Sequence, residues 1–270
     1  MSVILKGLLS TFAVLFFISA EALGDGDPKT LIAVGDEFYK KRADGASNDW
    51  ATTGNIKQAL DAYLKAYEMG ERTEDVVERI MRSTYFYATF AQQDIKEQKA
   101  AFQRSIEIGE GFLKTNPNSV AINYQMAGSW GRWGEANGII ASARKGVAQR
   151  VRDYGEKTVA LDSSFAEGGG YRTLGRLHFK APRIPLILSW PSKDESLKYL
   201  SRAVATGPNN LTNHLFYAET LFELDVYNKA IEHVDLVLNA PINPERLVED
   251  ARDKKDALAL KDKILKKTSK

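Results

Sequence analysis

The feature that most constrains this chain is a pattern of small and large residues that returns after 34 positions. Ser196, Leu200 and Ala203 stand at i, i+4 and i+7, a spacing that puts three side chains on one helix face. Ala230, Val234 and Val237 repeat it 34 residues later, and Ala59, Tyr63 and Ala66 carry it near the start. A small residue on such a face lets a second helix approach, while large neighbours fill the groove beside it. Amphipathic stretches follow one another along the chain, and no segment sustains the alternation of a strand. The expectation is an all-α chain of paired helices stacked into a solenoid or bundle.

The partner helices carry the other half of the pattern. Tyr171, Leu174, Gly175 and His178 follow the large-x2-Leu-Gly-x2-aromatic order, and His214, Tyr217, Ala218 and Leu221 are a looser copy. Paired helices with a 34-residue period are the tetratricopeptide signature. Ser105, Gly109, Phe112 and Pro117 keep the spacing with poorer residues. About eleven helices are predicted, over 29–43, 55–69, 73–92, 97–115, 119–138, 144–161, 167–180, 193–206, 211–224, 227–239 and 245–267. Turn signals separate them at Gly70, Asn116-Pro117-Asn118, Asp162-Ser163-Ser164 and Gly207-Pro208-Asn209. In the last helix Leu247, Ala251, Leu258, Lys261 and Leu265 form a stripe, which predicts a polar cap closing the solenoid. No linker splits the chain, so residues 23–270 are expected to be one domain.

Composition narrows the function classes. Against 37 basic side chains stand 35 acidic ones, a formal net charge of +2, which argues against a nucleic-acid footprint. There is no cysteine, which removes disulfides, thiolate metal sites and thiol nucleophiles. Lys6, the apolar run Leu8–Ile18 and Ala20-Glu21-Ala22 read as a signal peptide, residues 1–22, cleaved after Ala22. The chain is therefore expected to be periplasmic or otherwise exported and soluble, touching a membrane only if that segment stays uncleaved.

Two segments depart from the repeat. The first runs from Gly128 to Gly138 and holds four glycines in one predicted helix, each costing roughly 1 kcal/mol against alanine. Either another helix packs on that backbone with the tryptophans as core, or Trp130, Arg132, Trp133 and Asn137 line a ligand or peptide cavity. The second departure, near 181–192, holds three prolines among Ile184, Leu186, Ile187, Leu188 and Trp190. Proline forbids regular helix there, so this is an irregular apolar insertion, either buried in the superhelix or presented to a partner.

The stretch Arg132-Trp133-Gly134-Glu135-Ala136-Asn137-Gly138, with Leu174-Gly175-Arg176-Leu177-His178-Phe179-Lys180-Ala181-Pro182 and Asn213-His214-Leu215-Phe216, resembles the T-component family of tripartite ATP-independent periplasmic transporters. The resemblance covers roughly residues 50–265. It implies a helical repeat bundle that pairs with a periplasmic solute-binding subunit and encloses a hydrophobic pore. Such proteins are typically lipoproteins, and this sequence has no cysteine to carry the lipid. The segment ending in Leu174-Gly175-Arg176 is also similar to eukaryotic regulators of microtubule dynamics, which share the architecture; the signal segment speaks against that function here.

Nothing supports catalysis. His178, His214 and His233 are the only histidines and lie outside metal-ligand spacing; they are expected to be structural. Gly168-Gly169-Gly170 precedes a helix without the lysine of a phosphate loop and is expected to be a helix-entry turn. No metal or cofactor is implied. The leading expectation is a non-catalytic, exported tetratricopeptide-type protein that binds another exported protein, such as a solute-binding subunit, through anchors such as Trp133, Arg183, Ile187 and Trp190. The alternative is a carrier of an apolar or carboxylated small molecule, with Arg132, Arg172 or Arg176 pairing the acid.

Overall fold

Several helices in this molecule begin at a polar side chain that caps their first turn. The computed structural model describes residues 26–184 and 188–269; the expected signal segment and Ile187 lie outside them. Within them run α1 (Pro28–Lys40), α2 (Thr53–Glu68), α3 (Glu74–Phe86), α4 (Ile95–Leu113), α5 (Val120–Asn137) and α6 (Ile139–Lys145). They are followed by α7 (Val147–Leu161), α8 (Phe165–Lys180), α9 (Lys193–Thr206), α10 (Leu211–Glu223), α11 (Tyr227–Asn239) and α12 (Leu247–Thr268). Asp27, Ser119, Ser192 and Asn210 each accept a hydrogen bond from a backbone N–H of the first turn that follows, satisfying donors that the helix itself leaves open.

The helices pair as antiparallel hairpins in chain order, α1 with α2, α3 with α4, α5 with α7, α8 with α9, and α10 with α11. The nine positions that define the repeat, Ala59, Tyr63 and Ala66 with their two copies, are all at 0 % exposure. The fit is close enough to require glycine: a Cβ on Gly175 would lie 2.4 Å from Leu200, and one on Gly35 would lie 2.4 Å from Tyr63. One hydrogen bond also recurs. Ser105 and Ser129 share one at 3.2 Å in the first half, and Ser196 and Thr220 share its equivalent at 3.0 Å in the second. The all-α repeat architecture is therefore as expected, with one helix more than the sequence suggested.

That extra helix is α6. The turn expected between 138 and 144 is instead a short helix set between Gly138 and Gly146, whose φ angles of 84° and 62° suit glycine and strain other residues. The helix expected over 73–92 also divides: α3 widens at Tyr87–Ala91 into a π-helical turn, whose last bond runs from the Gln92 N–H to the Tyr87 carbonyl at 2.9 Å. At the start of α8, Ala166, Glu167 and Gly168 take left-handed angles before the regular helix begins. The triple glycine is a packing device, since a Cβ on Gly169 would fall 2.6 Å from the Tyr124 ring.

The apolar stripe expected on α12 is corrected. Leu247, Leu258 and Leu265 are 41%, 55% and 51% exposed, while Val248, Ala257, Leu260 and Ile264 are buried. The sequence misleads because the true inner face also carries Asp250 and Asp253, which are buried with Arg246 and Thr212 as partners. Nor is α12 only an end cap. Ala257, Leu260 and Ile264 join the core formed by α9 to α11, whereas Val248 belongs to the core of the first repeats.

From there α12 clasps the loop after α1. Arg252 pairs with Asp49 and donates to its backbone carbonyl at 2.7 Å, Lys255 reaches the same carboxylate at 3.1 Å, and Arg42 meets Glu249 at 3.4 Å. The Arg252 guanidinium also lies 4.9 Å from the centre of the Trp50 ring. The two ends of the solenoid are thereby tied together. Burial alone would raise the pKa of Asp49, but the Lys255 and Arg252 donors outweigh it and hold the carboxyl below its ordinary value.

Asp49→Ala is expected to lower the unfolding free energy by roughly 1–3 kcal/mol, a partly buried pair discounted for the exposure of Lys255. Urea denaturation measures it, with hydrogen exchange rising together around residues 42–50 and 245–255. A loss confined to one end would show that the clasp does not couple them.

Candidate functional site

Stacked helical pairs curve, and the inward faces of this solenoid enclose a cavity of about 880 Å³, within the ordinary range for small-molecule sites. Its walls are unusual in combining aromatic rings with arginines. Tyr39, Tyr85, Phe86 and Phe90 come from the first repeats, Tyr124 from α5, Trp190 from the 181–192 insertion and Phe216 from α10. Each ring offers an apolar face, and several carry a guanidinium on it: Arg82 lies 4.4 Å from the Tyr39 centroid, Arg132 is 5.3 Å from Tyr85, and Arg176 is 4.0 Å from Phe216. Cation–π contact of this kind holds charge beside an apolar surface without a carboxylate.

The wall is cationic. Arg42, Arg82, Arg132, Arg172, Arg176, Lys180, Arg246 and Arg252 border the cavity against Glu135, Glu249, Asp253 and Asp256. Most of these cations are already paired. Arg132 holds Glu135 at 2.8 Å and donates twice to the Tyr85 hydroxyl; Arg176 pairs with Glu219; Arg246 pairs with Asp250 at 3.0 Å. Burial opposes the charge on Arg132, but the Tyr85 and Glu135 oxygens more than compensate and raise its pKa. Arg172 is held by neutral acceptors instead, the Tyr124 hydroxyl at 2.8 Å and the Asn213 side chain at 2.9 Å. Arg82 has no carboxylate within ion-pair distance among the described residues and is exposed to the cavity.

The residues singled out from the sequence divide. Arg132, Arg172, Arg176 and Trp190 do border one cavity. Trp130 and Trp133 do not: they are 4% and 7% exposed, pack edge to face at 5.7 Å, and belong to the core on the far side of α5. Helical periodicity explains this, because the tryptophans are three apart and point together, while Gly128, Gly131 and Arg132 face inward. The close backbone approach is supplied by Val147 of α7, whose side chain would lie 2.9 Å from a Cβ on Gly134. Asn137 bonds back to the Trp133 carbonyl at 2.9 Å and caps its own helix. Arg183 is exposed and donates to the Ser189 carbonyl at 3.0 Å.

Sequence reasoning missed Arg82, Tyr85, Tyr124 and Arg42. A signal existed for two of them: Arg79, Arg82 and Tyr85 are spaced at i and i+3, a polar and aromatic face on an otherwise buried helix.

The histidines are packed. His178 accepts from the Ser192 N–H at 3.3 Å and lies between the Trp190 and Tyr199 rings. His214 Nε2 faces the Pro208 carbonyl at 2.7 Å. A carbonyl only accepts, so that nitrogen carries the proton, and His214 Nδ1 receives the Nδ1–H of His233 at 2.8 Å. Among the described residues no group of three or more His, Cys, Asp or Glu is placed to hold a metal ion.

Two titratable groups give the fold opposed acid responses. Burial, with His214 and Lys229 nearby, pushes the pKa of His233 down from 6.5 to about 4. The stability this confers is complete above pH 6.5 and is lost as pH falls toward 4. Asp253, on the cavity wall, is pushed up from 3.8 to about 6 by burial, against the Thr212 hydrogen bond and the Arg246 charge. Its contribution is complete below pH 3.8 and is lost as pH rises through 6. His233→Gln should therefore flatten the fall in urea midpoint between pH 7 and pH 4, and Asp253→Asn should steepen it.

Solved structures share this architecture. A tetratricopeptide-repeat protein of Thermus thermophilus, TTC0263, superposes with a TM-score of 0.57 at 11% identity, over 88% of this chain and 98% of that one. Pseudomonas aeruginosa PilF gives 0.52 at 13% identity, over 86% of this chain and 88% of that one. Identities this low establish a common fold. No curated protein sequence matches the chain. The family model of the regulator of microtubule dynamics protein 1-3 matches residues 40–266, from the last residue of α1 into the last turn of α12, and the chain belongs to that family.

Proposed function

We propose that this chain is a non-catalytic, exported binding protein that holds an elongated apolar or aromatic molecule with an acidic group inside its cavity. The observation that carries the proposal is the cavity wall, in which aromatic faces alternate with a surplus of cations over carboxylates. Burying an unpaired charge is costly, so a protein that lines its interior this way gains from a ligand that brings both apolar surface and negative charge. Among the described lining residues, Arg82 and Lys180 are cations with donors to spare, and Arg132 and Tyr85 stand on the same wall as Arg82. Export rests on the segment before Ala22.

The ligand is accessible to direct measurement. Native mass spectrometry of protein purified from its own host should show one small acidic molecule per chain. In the emptied protein, the aromatic anion anilinonaphthalene sulfonate should bind at the same site, and Arg82→Ala should weaken it at least about tenfold, or roughly 1.4 kcal/mol. Equal binding by wild type and variant would remove Arg82 from the site.

A second reading is favoured by the insertion at 181–192, which brings Pro182, Leu188 and Trp190 to the cavity wall and leaves Arg183 exposed. In it the protein is an accessory to an exported solute-binding subunit of a tripartite ATP-independent periplasmic transporter, and the insertion is the contact. Trp190 is half-buried between His178 and Arg152, with ring and guanidinium 5.0 Å from it on either side. A pull-down from periplasmic extract should then recover a solute-binding protein with wild type and not with Trp190→Asp, helical content being unchanged by circular dichroism. Recovery of the same protein by both would remove Trp190 from the contact.

A further inference from the structure

Among the described residues, the most exposed large apolar side chains are neighbours. Ile139 and Ile140 are 63% and 72% exposed, above every other large hydrophobic residue among those described. Both lie in the first turn of α6, a helix with no buried residue of its own. The last turn of the same helix holds Arg144 and Lys145, both exposed, and neither has a carboxylate partner among the described residues. From Ala136 to Arg152 the sequence contains no acidic residue. The local surface is thus apolar and cationic, although the whole chain is close to neutral.

We infer that α6 docks on an anionic lipid bilayer, with Ile139 and Ile140 entering the apolar boundary and Arg144 and Lys145 meeting the headgroups. Charge complementarity selects the occupant's sign, since an acid-free segment with unpaired cations favours a negatively charged surface. Geometry selects a fluid one. Successive helix residues point about 100° apart, so two adjacent isoleucines rarely share one pocket of a rigid partner, whereas a hydrocarbon phase accepts both. Among the described residues no helix is long and apolar enough to cross a membrane, so the contact is interfacial. The flanking Gly138 and Gly146 break the helical path on both sides of α6, which stays tied to α5 through Ser142, donating to the Gly134 carbonyl at 3.1 Å. Ile139, Ser142 and Ala143 also border the cavity, which places its mouth against the bilayer when α6 is docked. Docking does not depend on what the cavity holds.

The absence of cysteine makes the test specific. Ile140→Cys carries a single environment-sensitive dye on α6, and Leu258→Cys, an exposed position on α12, carries it as the reference. Vesicles of phosphatidylcholine with phosphatidylglycerol should shift the emission of the α6 label to the blue and leave the α12 label unchanged; phosphatidylcholine alone should shift neither. Adding Arg144→Glu and Lys145→Glu to the α6-labelled chain should weaken the vesicle partition at least about tenfold. An α6 label indifferent to anionic vesicles, as expected if the surface serves an acidic protein instead, would overturn the inference, as would equal shifts at both labels.

Discussion

A large side chain of one helix resting on the bare backbone of its partner is the contact from which the remainder follows. Tyr63 over Gly35 and Leu200 over Gly175 draw the axes of each hairpin together on the side where those residues lie. The opposite side carries rings and arginines. Repetition of that asymmetry makes the stack curve, and curvature leaves a concave interior. The cavity is therefore a product of the same packing rule that makes the repeat, and its volume depends on every hairpin keeping its spacing.

This explains what could be read from the chain and what could not. Ser196, Leu200 and Ala203 announce their roles because a helix face is a local property, fixed by spacing along the sequence. Arg82 and Tyr124 become neighbours of one space only when the hairpin of α3 packs on the hairpin of α5, and no local pattern encodes that docking. The tryptophans of α5 show the limit from the other side. Their glycine-rich setting signals close approach correctly, yet the partner is Val147, and the inward face belongs to Arg132. On α12 the charge of Asp250 and Asp253 hid the buried face, because a paired buried carboxylate cannot be told from a solvated one by its letter.

The choice of arginine for the interior has a physical basis. Its guanidinium is weakly hydrated, planar, and able to stack on a ring while donating sideways to oxygen. Arg132 does both at once, over the Tyr85 ring and against its hydroxyl. Lysine offers a compact, strongly hydrated charge with no plane to stack. A wall of arginines on tyrosine and phenylalanine is thus both apolar enough to survive partial burial and polar enough to fix the orientation of what it meets.

Open solenoids assemble by nearest-neighbour contact and unravel from their ends. Here the ends meet, through residues 203 positions apart in the chain at Asp49 and Arg252. With Lys255–Asp49 and Arg42–Glu249, 206 and 207 positions apart, it closes nearly the whole described chain, and contacts of that kind form late, after intervening structure has shortened the effective loop. Assembly of this protein should accordingly be local in its early phase and topological in its last. Arg42 Nε and Glu249 Oε2, buried at the junction without a hydrogen-bond partner among the described residues, make it the place where the circle breaks most cheaply. A repeat architecture normally built as a strip has in this chain been given a seam.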